Sequence, residues 1–263
     1  MYEFEFARPT SVAEAVQALG AEEAQALGGG QTLIPTLKQR LAMPSVLVSL
    51  TGIAEMTGIT TTGDGAVEIG GATCHADVAK GAAAAYPALA ALAGQIGDPA
   101  VRNRGTIGGS LANNDPAACY PAAALASGAT IVTNVREIAA DDYFQGMFTT
   151  ALDEGEIITS VRFPVPQAAN YQKFLQPASR FAMVGVFVAK FAEGVRVAVT
   201  GASEEGVFRW SEAEAALASS FSPDAIDGLT VAPDGMIGDI HGTRAYRAHL
   251  VGVMTKRAVA AAA

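Results

Sequence analysis

The segment that decides the fold is Gly97 to Pro116, which reads GDPAVRNRGTIGGSLANNDP. Gly108 and Gly109 carry no side chain, so their backbone amides are predicted to turn inward and surround an anion. Thr106 and Ser110 flank the glycines with hydroxyl groups, and Asn and Asp side chains follow. A polar stretch of this length is uncommon in a compact domain unless it is functional. We therefore interpret it as a binding loop; the alternative is an irregular loop whose Asn and Asp residues bond their own backbone.

A second glycine loop lies earlier in the chain, where residues 27–35 read LGGGQTLIP. The short apolar segment Ala24 to Leu27 leads into it, and Thr32 would add a hydroxyl donor. Alone, a glycine triplet is more often a flexible turn between a strand and a helix. Together, the two loops could enclose one diphosphate. Neither contains the G-x-G-x-x-G fingerprint or a P-loop lysine, which disfavours a Rossmann domain and a nucleotide hydrolase.

Composition limits the remaining function classes. Of 263 residues, 50% are hydrophobic and 16% charged, as in a soluble globular protein. The formal net charge of −9 argues against nucleic acid, which is bound mainly through Lys and Arg. The two cysteines, Cys74 and Cys119, are too few for an iron–sulfur or structural zinc site and suggest no disulfide framework. A reducing cytoplasm is the expected location.

The ends and the apolar segments of the chain predict no targeting signal and no membrane span. The amino terminus, MYEFEFARP, carries acids where a secretory signal carries bases. The uncharged stretch that could mimic a membrane span, Gly81 to Gly97, is mostly alanine and is interrupted by Pro87, so we expect packed helices there.

Strand and helix patterns alternate along the chain and predict an α+β protein in two parts. Ser11 has the position of a helix N-cap, and Gly63-Asp64-Gly65 indicates a hairpin. We expect the segment from Gly97 to Pro116 to be a loop. Pro164 and Pro166 mark the predicted boundary, which gives domains at 1–166 and 167–263. Further strands are predicted at Thr130–Thr133, Glu156–Phe163, Phe181–Phe191 and Val195–Thr200, and helices at Thr36–Leu41, His75–Ala79, Ala88–Ile96, Glu212–Leu217 and from Thr243 to the end.

Taken together, the segments GGQTLIP and VRNRGTIGGS give the chain a recognisable identity. It resembles the medium, FAD-binding subunit of the xanthine dehydrogenase and aerobic carbon monoxide dehydrogenase family of molybdenum hydroxylases. The resemblance covers essentially the whole chain. It implies a PCMH-type FAD-binding domain of two α+β subdomains, followed by a small carboxyl-terminal domain with an antiparallel sheet and helices.

The resemblance also implies which residues bind the cofactor. The two loops would hold the FAD diphosphate, two later residues the adenosine half, and one residue in each of two later segments would lie near the flavin or adenine. These residues are Gly28, Gly29, Gly30, Gln31, Thr32, Leu33, Ile34, Thr106, Ile107, Gly108, Gly109, Ser110, Asn114, Asp115, Ile158 and Lys173. Gln176 is the alternative to Lys173, and relatives often carry an acid where this chain has Cys119.

By the same resemblance, this subunit works inside a complex. It would receive electrons from two [2Fe–2S] clusters in a small partner subunit and pass them to an external acceptor. A large partner subunit would carry the molybdopterin cofactor and the substrate site, in a dimer of heterotrimers. No catalytic residue or metal is expected in this chain. The rival hypotheses are a self-sufficient PCMH-type flavin oxidase and an assembly subunit without flavin.

Several single residues have both a structural and a functional interpretation. His75 is expected to be structural and His249 to lie on the surface or in packing, while Trp210 is expected in the core or an interface. Arg102 and Arg104 could be solvated charges, could partly neutralise a diphosphate, or could contact the partner subunit that bears the clusters. Both cysteines are expected to be small buried hydrophobes.

Overall fold

The computed structural model describes residues 1–262 and has three main sheets, which follow one another along the chain. The first is a parallel sheet of three strands in the order β1-β3-β2. Its strands are β1 (Glu5–Ala7), β2 (Gln25–Leu27) and β3 (Val46–Ser49), and its connecting helices are α1 (Val12–Leu19) and α2 (Leu33–Lys38). Ser11 caps α1 as predicted, because its side chain accepts from the Glu14 amide at 3.2 Å.

The second sheet is antiparallel, has five strands in the order β4-β5-β10-β6-β7, and is covered by short helices. Its strands are β4 (Ile59–Thr61), β5 (Val67–Gly70), β6 (Thr130–Thr133), β7 (Glu137–Ala139) and β10 (Ile158–Phe163). The helices are α3 (His75–Gly81), α4 (Pro87–Gly94), α5 (Pro99–Arg102), α6 (Ile107–Asn113), α7 (Tyr120–Ser127) and α8 (Ala140–Tyr143), and a small hairpin follows with β8 (Phe144–Gly146) and β9 (Thr149–Thr150).

The third sheet is an antiparallel meander in the order β11-β12-β13-β14, and the predicted boundary at Pro166 falls just before it. Its strands are β11 (Ala168–Leu175), β12 (Ala182–Phe191), β13 (Gly194–Ser203) and β14 (Gly206–Arg209), and its helices are α9 (Ser211–Ser219) and α10 (Arg244–Ala262). Two 3-10 helices, Ala54–Met56 and Pro223–Ile226, complete the chain. This mixed architecture confirms the predicted α+β class.

The two faces of the third sheet pack into different cores. Tyr171 and Phe187 point toward the second sheet and join its hydrophobic core, where Phe187 meets Tyr86 edge-on at 6.2 Å. The opposite face, together with Trp210, packs against α9 and α10. Trp210 is therefore a core residue, as expected. Because α7 packs on β12 and β13, the third sheet supports the region that follows the second glycine loop.

The prediction of a loop from Gly97 to Pro116 is wrong, because that segment contains α5 and α6. Asp98 caps α5 by accepting from the Val101 amide at 2.9 Å. Thr106 caps α6 by accepting from the Gly109 amide at 3.1 Å. Both helices are too short to show an apolar period, so only their caps could have indicated them. Helix α2 also begins three residues before the predicted Thr36, and α7 and β11 were not predicted.

No helix within residues 1–262 is both long and apolar enough to cross a membrane.

Candidate functional site

The two glycine loops, which are far apart in the sequence, lie directly against each other. A β-carbon built on Gly28 would lie 2.8 Å from Thr106 Oγ1, and one on Gly29 would lie 1.9 Å from the Arg104 carbonyl oxygen. These distances are shorter than real side chains tolerate, so the contact requires glycine on the first loop. The predicted convergence of the two loops is confirmed.

The loops form one wall of a cleft of about 830 Å³. That volume is near the upper end of the usual range for small-molecule sites, about 300–1,000 Å³. The lining comes from the first sheet, the second sheet and the start of the third. Besides the two loops, the lining residues include His75, Ile96, Val101, Asn113, Asp115, Cys119, Leu152, Glu156, Ile157, Ile158, Lys173, Arg180 and Phe181.

The first loop has unpaired backbone donors. The amides of residues 29–32 donate to no acceptor within residues 1–262, and the loop reverses at Gly30 with φ of +72°. Thr32 is the N-cap of α2, but its side chain caps nothing. Successive free amides in a glycine turn form a concave site that attracts phosphate oxygens. The amides of this loop are therefore available to a ligand such as a phosphate group.

The second loop behaves differently, and the prediction that its glycines free their amides is wrong. Gly108 donates to the Gly71 carbonyl at 2.9 Å, and Ile107 donates to that of Thr73 at 3.1 Å. Gly109 donates to Thr106 Oγ1 at 3.1 Å. These bonds fasten the loop to residues 71–73. Of the two glycines only Gly109 is exposed, and it lines the cleft together with the partly buried Ser110, whereas Gly108 is buried.

Ile157 and Ile158 also line the cleft, and Glu156 holds the backbone beside them. The Glu156 carboxylate accepts from Arg136 Nε at 3.0 Å, from Thr133 Oγ1 at 2.6 Å and from the Asp153 amide at 2.8 Å. Its side chain is only 2% exposed. The hydrogen bond from Arg136, followed by the other hydrogen bonds, lowers the pKa of Glu156 to about 2 against the opposing effect of burial. Glu156 is therefore an ionised structural residue whose carboxylate oxygens already accept hydrogen bonds from the protein.

Lys173 also lines the cleft. Its Nζ donates to the Gln95 carbonyl at 2.7 Å and to the Arg180 carbonyl at 2.9 Å, and it lies 3.6 Å from Cys119 Sγ. Of the two predicted candidates, Lys173 lines the cleft, whereas the Gln176 side chain accepts from the Ala178 amide at 2.7 Å. The ammonium thus connects three segments that border the cleft.

His75 lies beneath the second loop, with its ring tilted against Tyr120 at a centroid distance of 5.3 Å. Burial, and then the nearby Arg102 charge, lower the pKa of His75 to about 4, so the imidazole is neutral at pH 7. Its Nδ1 atom is buried without a hydrogen-bond partner in residues 1–262. Gly105 makes room for the ring, because a β-carbon there would lie 2.5 Å from His75 Nε2.

The structure brings together thirteen of the predicted cofactor residues. The thirteen are Gly28, Gly29, Gly30, Gln31, Thr32, Leu33, Thr106, Gly108, Gly109, Ser110, Asp115, Ile158 and Lys173, and all of them line the cleft. Ile34 and Ile107 lie outside the lining. So does Asn114, which caps α6 in the left-handed conformation while its amide donates to the Gly146 and Thr149 carbonyls at 2.8 Å each.

Glu156 and Arg180 line the cleft although the sequence does not indicate them, and His75, which was expected to be structural, lines it too. Nothing local marks them, because each reaches the cleft through long-range packing. Of the two arginines with open interpretations, Arg102 donates to the Ile96 and Gly97 carbonyls at 3.0 Å and so holds the backbone beside the cleft. Cys119 is buried as expected, but Cys74 is only partly buried.

Within residues 1–262, no cluster of His, Cys, Asp or Glu side chains has the geometry to hold a metal ion. The cleft instead offers free backbone amides at one wall, a volume suited to a large organic ligand, and apolar surface at Ile96, Ile158 and Phe181. These features fit a dinucleotide with a diphosphate centre and aromatic ends.

Comparisons with known proteins agree with this geometry. Residues 2–166 match the family described as the FAD binding domain in molybdopterin dehydrogenase. The chain is 32% identical over 274 residues to the carbon monoxide dehydrogenase medium chain of Afipia carboxidovorans, covering 97% of this chain and 95% of that protein. It is 35% identical over 271 residues to the nicotine 6-hydroxylase medium subunit of Paenarthrobacter nicotinovorans, again covering 97% and 95%.

A solved structure gives the same answer for the fold. A chain of carbon monoxide dehydrogenase from Hydrogenophaga pseudoflava, in a form that lacks the Mo-pyranopterin moiety of the molybdenum cofactor, is similar with a TM-score of 0.88 and 33% identity. The match covers 99% of this chain and 97% of that one. The similarity therefore extends over all three sheets.

Proposed function

The chain belongs to the family of FAD-binding domains of molybdopterin dehydrogenases, and from this premise we propose that it carries FAD between the iron–sulfur clusters of a partner subunit and an external electron acceptor. Its relatives are medium subunits of oxidoreductases, and the chain matches them over nearly their full length. Bound FAD supplies the electron-transfer chemistry, whereas the protein binds and orients it.

The observation that carries this proposal is the contact between the two glycine loops beside one cleft. The free amides of residues 29–32 would hold the diphosphate, and Gly109 and Ser110 would face it from the second loop. Ile157 and Ile158 would support one end of the cofactor, and Lys173 with Phe181 would border the other. Glu156 and His75 would position these walls, because both are buried and hold or underlie backbone that lines the cleft.

The proposed partners are a small subunit with two [2Fe–2S] clusters and a large subunit with the molybdopterin cofactor. Support comes from the relatives, since a medium chain implies companion chains of other sizes. We propose a dimer of such heterotrimers. The contact with each partner should bury more than about 1,000 Å², as stable interfaces do.

A substitution in the second loop tests the cofactor site. Gly109 is exposed and lines the cleft, and a β-carbon there would lie 2.9 Å from Thr106 Oγ1, so the branched side chain of Gly109→Val would crowd the second loop where it borders the cleft. We expect the purified variant to lose its visible flavin absorbance while it keeps its far-UV circular dichroism. Gly63→Val is the matched control, because a side chain at Gly63 meets nothing within 4 Å. Full retention of FAD by Gly109→Val would show that the second loop is misassigned.

Co-expression tests the role in electron transfer. When the tagged chain is co-expressed with the proposed small and large subunits, both should co-purify with it. Its flavin should then be reduced when the substrate of the large subunit is added. Turnover of a substrate by the isolated chain, or FAD bound covalently, would favour a self-sufficient oxidase instead. A colourless complex with both partners would favour an assembly subunit.

A further inference from the structure

A thiol and an ammonium group meet at the end of the cleft that faces the third sheet. Cys119 Sγ and Lys173 Nζ are 3.6 Å apart, and both residues line the cleft. They belong to different layers, since Cys119 is the N-cap of α7 and Lys173 lies within β11. A bond between them would therefore join the second subdomain to the third sheet.

The surroundings hold the two groups in this position. Lys173 Nζ is fixed by the Gln95 and Arg180 carbonyls, which leaves its third donor for the sulfur. Cys119 is 5% exposed and packs in the core between the layers, so its side chain has little freedom. The tertiary fold therefore determines the contact, because it brings together the segments that contain Gln95, Cys119, Lys173 and Arg180.

A buried hydroxyl next to the thiol provides a second, independent observation. Tyr171 lies two residues before Lys173 on β11 and is 4% exposed, and its hydroxyl has no hydrogen-bond partner in residues 1–262. Burial, and then the adjacent Cys119 thiol, raise the pKa of Tyr171. The tyrosine therefore stays a neutral hydroxyl beside the sulfur, where it could stabilise an oxygen added to that sulfur.

The other cysteine provides an internal comparison. Cys74 is more exposed than Cys119, and its Sγ donates to the Arg104 carbonyl at 3.8 Å. Burial, followed by the negative charge of Asp77, raises the pKa of the Cys74 thiol. The two cysteines therefore differ in their neighbours, an amine in one case and a carbonyl in the other.

We propose that Cys119 and Lys173 form a covalent sulfur–nitrogen bond when the protein meets hydrogen peroxide. Peroxide first oxidises the thiol to a sulfenic acid and is itself reduced to one molecule of water. Lys173 Nζ then loses a proton to solvent and attacks the sulfur, an N–H proton is transferred to the departing hydroxyl, and a second water leaves. The sum is RSH + R′NH₃⁺ + H₂O₂ → RS–NHR′ + 2 H₂O + H⁺, in which sulfur is oxidised and peroxide reduced by two electrons.

The bond has a consequence for the cleft that rests on the proposed function. Bonding to sulfur draws Nζ away from the Gln95 and Arg180 carbonyls. The segment that includes Ser179, Arg180 and Phe181 lines the cleft and would lose that anchor. The linked protein should therefore release FAD several-fold faster than the unlinked protein, which makes the pair a peroxide-sensitive control of cofactor retention.

Peptide mapping tests the bond directly. The purified protein, with its partners if they co-purify, is treated with hydrogen peroxide, digested with trypsin and analysed by mass spectrometry. We expect peptides 105–136 and 163–180 to be joined, with a mass lower by two hydrogen atoms than their sum. Cleavage after Lys173 should be blocked, and dithiothreitol should restore both peptides.

Variants separate this bond from general oxidation. Cys74→Ser should keep the linked pair, whereas Cys119→Ser and Lys173→Arg should abolish it. Oxidation of Cys119 only to sulfinic acid, an unmodified Cys119, or the same product in Lys173→Arg would overturn the proposal. The mass measurement is independent of bound flavin, so it can succeed even if the chain carries no FAD. Equal FAD release rates from linked and unlinked holoprotein would overturn only the consequence for cofactor retention.

Discussion

The two glycine loops look alike in sequence but use glycine for different physical reasons. In the first loop, the amides of residues 29–32 have no partner in the described part of the chain, so a polar backbone surface is left open. In the second loop, the amides of Ile107, Gly108 and Gly109 are bound within the chain, and glycine permits close packing. A glycine-rich motif thus does not by itself identify which backbone groups are available to a ligand.

The close packing behind the second loop involves several backbone segments. A β-carbon on Gly108 would lie 2.6 Å from the Gly71 carbonyl oxygen, and one on Gly71 would lie 2.1 Å from that of Ile158. A β-carbon on Gly70 would lie 2.3 Å from the Met56 carbonyl oxygen. Glycine at these positions lets the backbones approach each other directly. The second loop is therefore part of the structural support of the site.

The largest expected effect comes from filling this contact. Gly108→Ala should lower the free energy of unfolding by about 3 kcal/mol, because backbone atoms must move to admit the methyl group. Gly252→Ala is the control, since Gly252 lies within α10 with nothing within 4 Å of its β-position. That variant should gain up to about 1 kcal/mol from better helix propensity. Chemical denaturation measures both, and an unchanged stability of Gly108→Ala would contradict the packing role.

Removing one amide from the first loop should affect binding instead of stability. Thr32→Pro removes one free amide and requires φ at residue 32 to move from −103° towards the value of about −65° that proline imposes, so far-UV circular dichroism must first show that the variant keeps its fold. The loss of one hydrogen bond to a charged phosphate should cost about 2 kcal/mol, or about 30-fold in FAD affinity. Thr32→Ala keeps the amide and should bind within a few-fold of the unaltered chain. Calorimetric titration of the two apoproteins with FAD measures both affinities. Equal affinities would contradict the proposal that the amides of the first loop bind the diphosphate.

Glu156→Gln should weaken the wall that faces the loops. We expect a loss of about 1.5 kcal/mol in unfolding free energy at neutral pH, because the charged hydrogen bonds with Arg136 are weakened. The folded-state pKa of Glu156 is lowered to about 2, below its ordinary value of 4.5. Its stabilisation is therefore complete above pH 4.5 and is lost as the pH falls towards 2. The difference in unfolding free energy between the unaltered chain and Glu156→Gln should shrink as the pH falls from 4.5 to 2. A difference that does not depend on pH would contradict the role of the ionised carboxylate.

The smallest expected effect on stability comes from His75. Here the group with the lowered pKa is a base, whereas Glu156 is an acid. Burial and Arg102 lower the pKa of His75 from 6.5 to about 4, so the unfolded chain binds the proton more readily. Stability is therefore complete above pH 6.5 and falls as the pH drops towards 4. We expect a loss of about 1 kcal/mol between pH 7 and 5.5 from this residue. His75→Asn should remove that contribution from denaturation curves, whereas an identical pH slope would show that the imidazole protonates freely.

Much of this architecture could be predicted from local sequence. Ser11 predicted the first cap, the Gly63-Asp64-Gly65 turn predicted the hairpin of β4 and β5, and apolar runs predicted β12 and β13. The short helices α5 and α6 were missed, because they depend on caps and on tertiary contacts more than on an apolar period. The resemblance of the two loops to a known family supplied the fold class that the comparisons bear out.

The sequence by itself determined where glycine frees the chain from side chains, and hence that residues 28–30 and 108–109 could approach other groups closely. Only the tertiary structure decided which of these glycines lie against the ligand cleft and which pack against other parts of the protein. The reason is that a backbone amide becomes available or occupied through partners distant in sequence, as Gly108 with Gly71 shows. For the same reason Glu156, His75 and Lys173 meet the cleft through long-range packing, while Asn114 turns away from it to hold the Gly146 carbonyl.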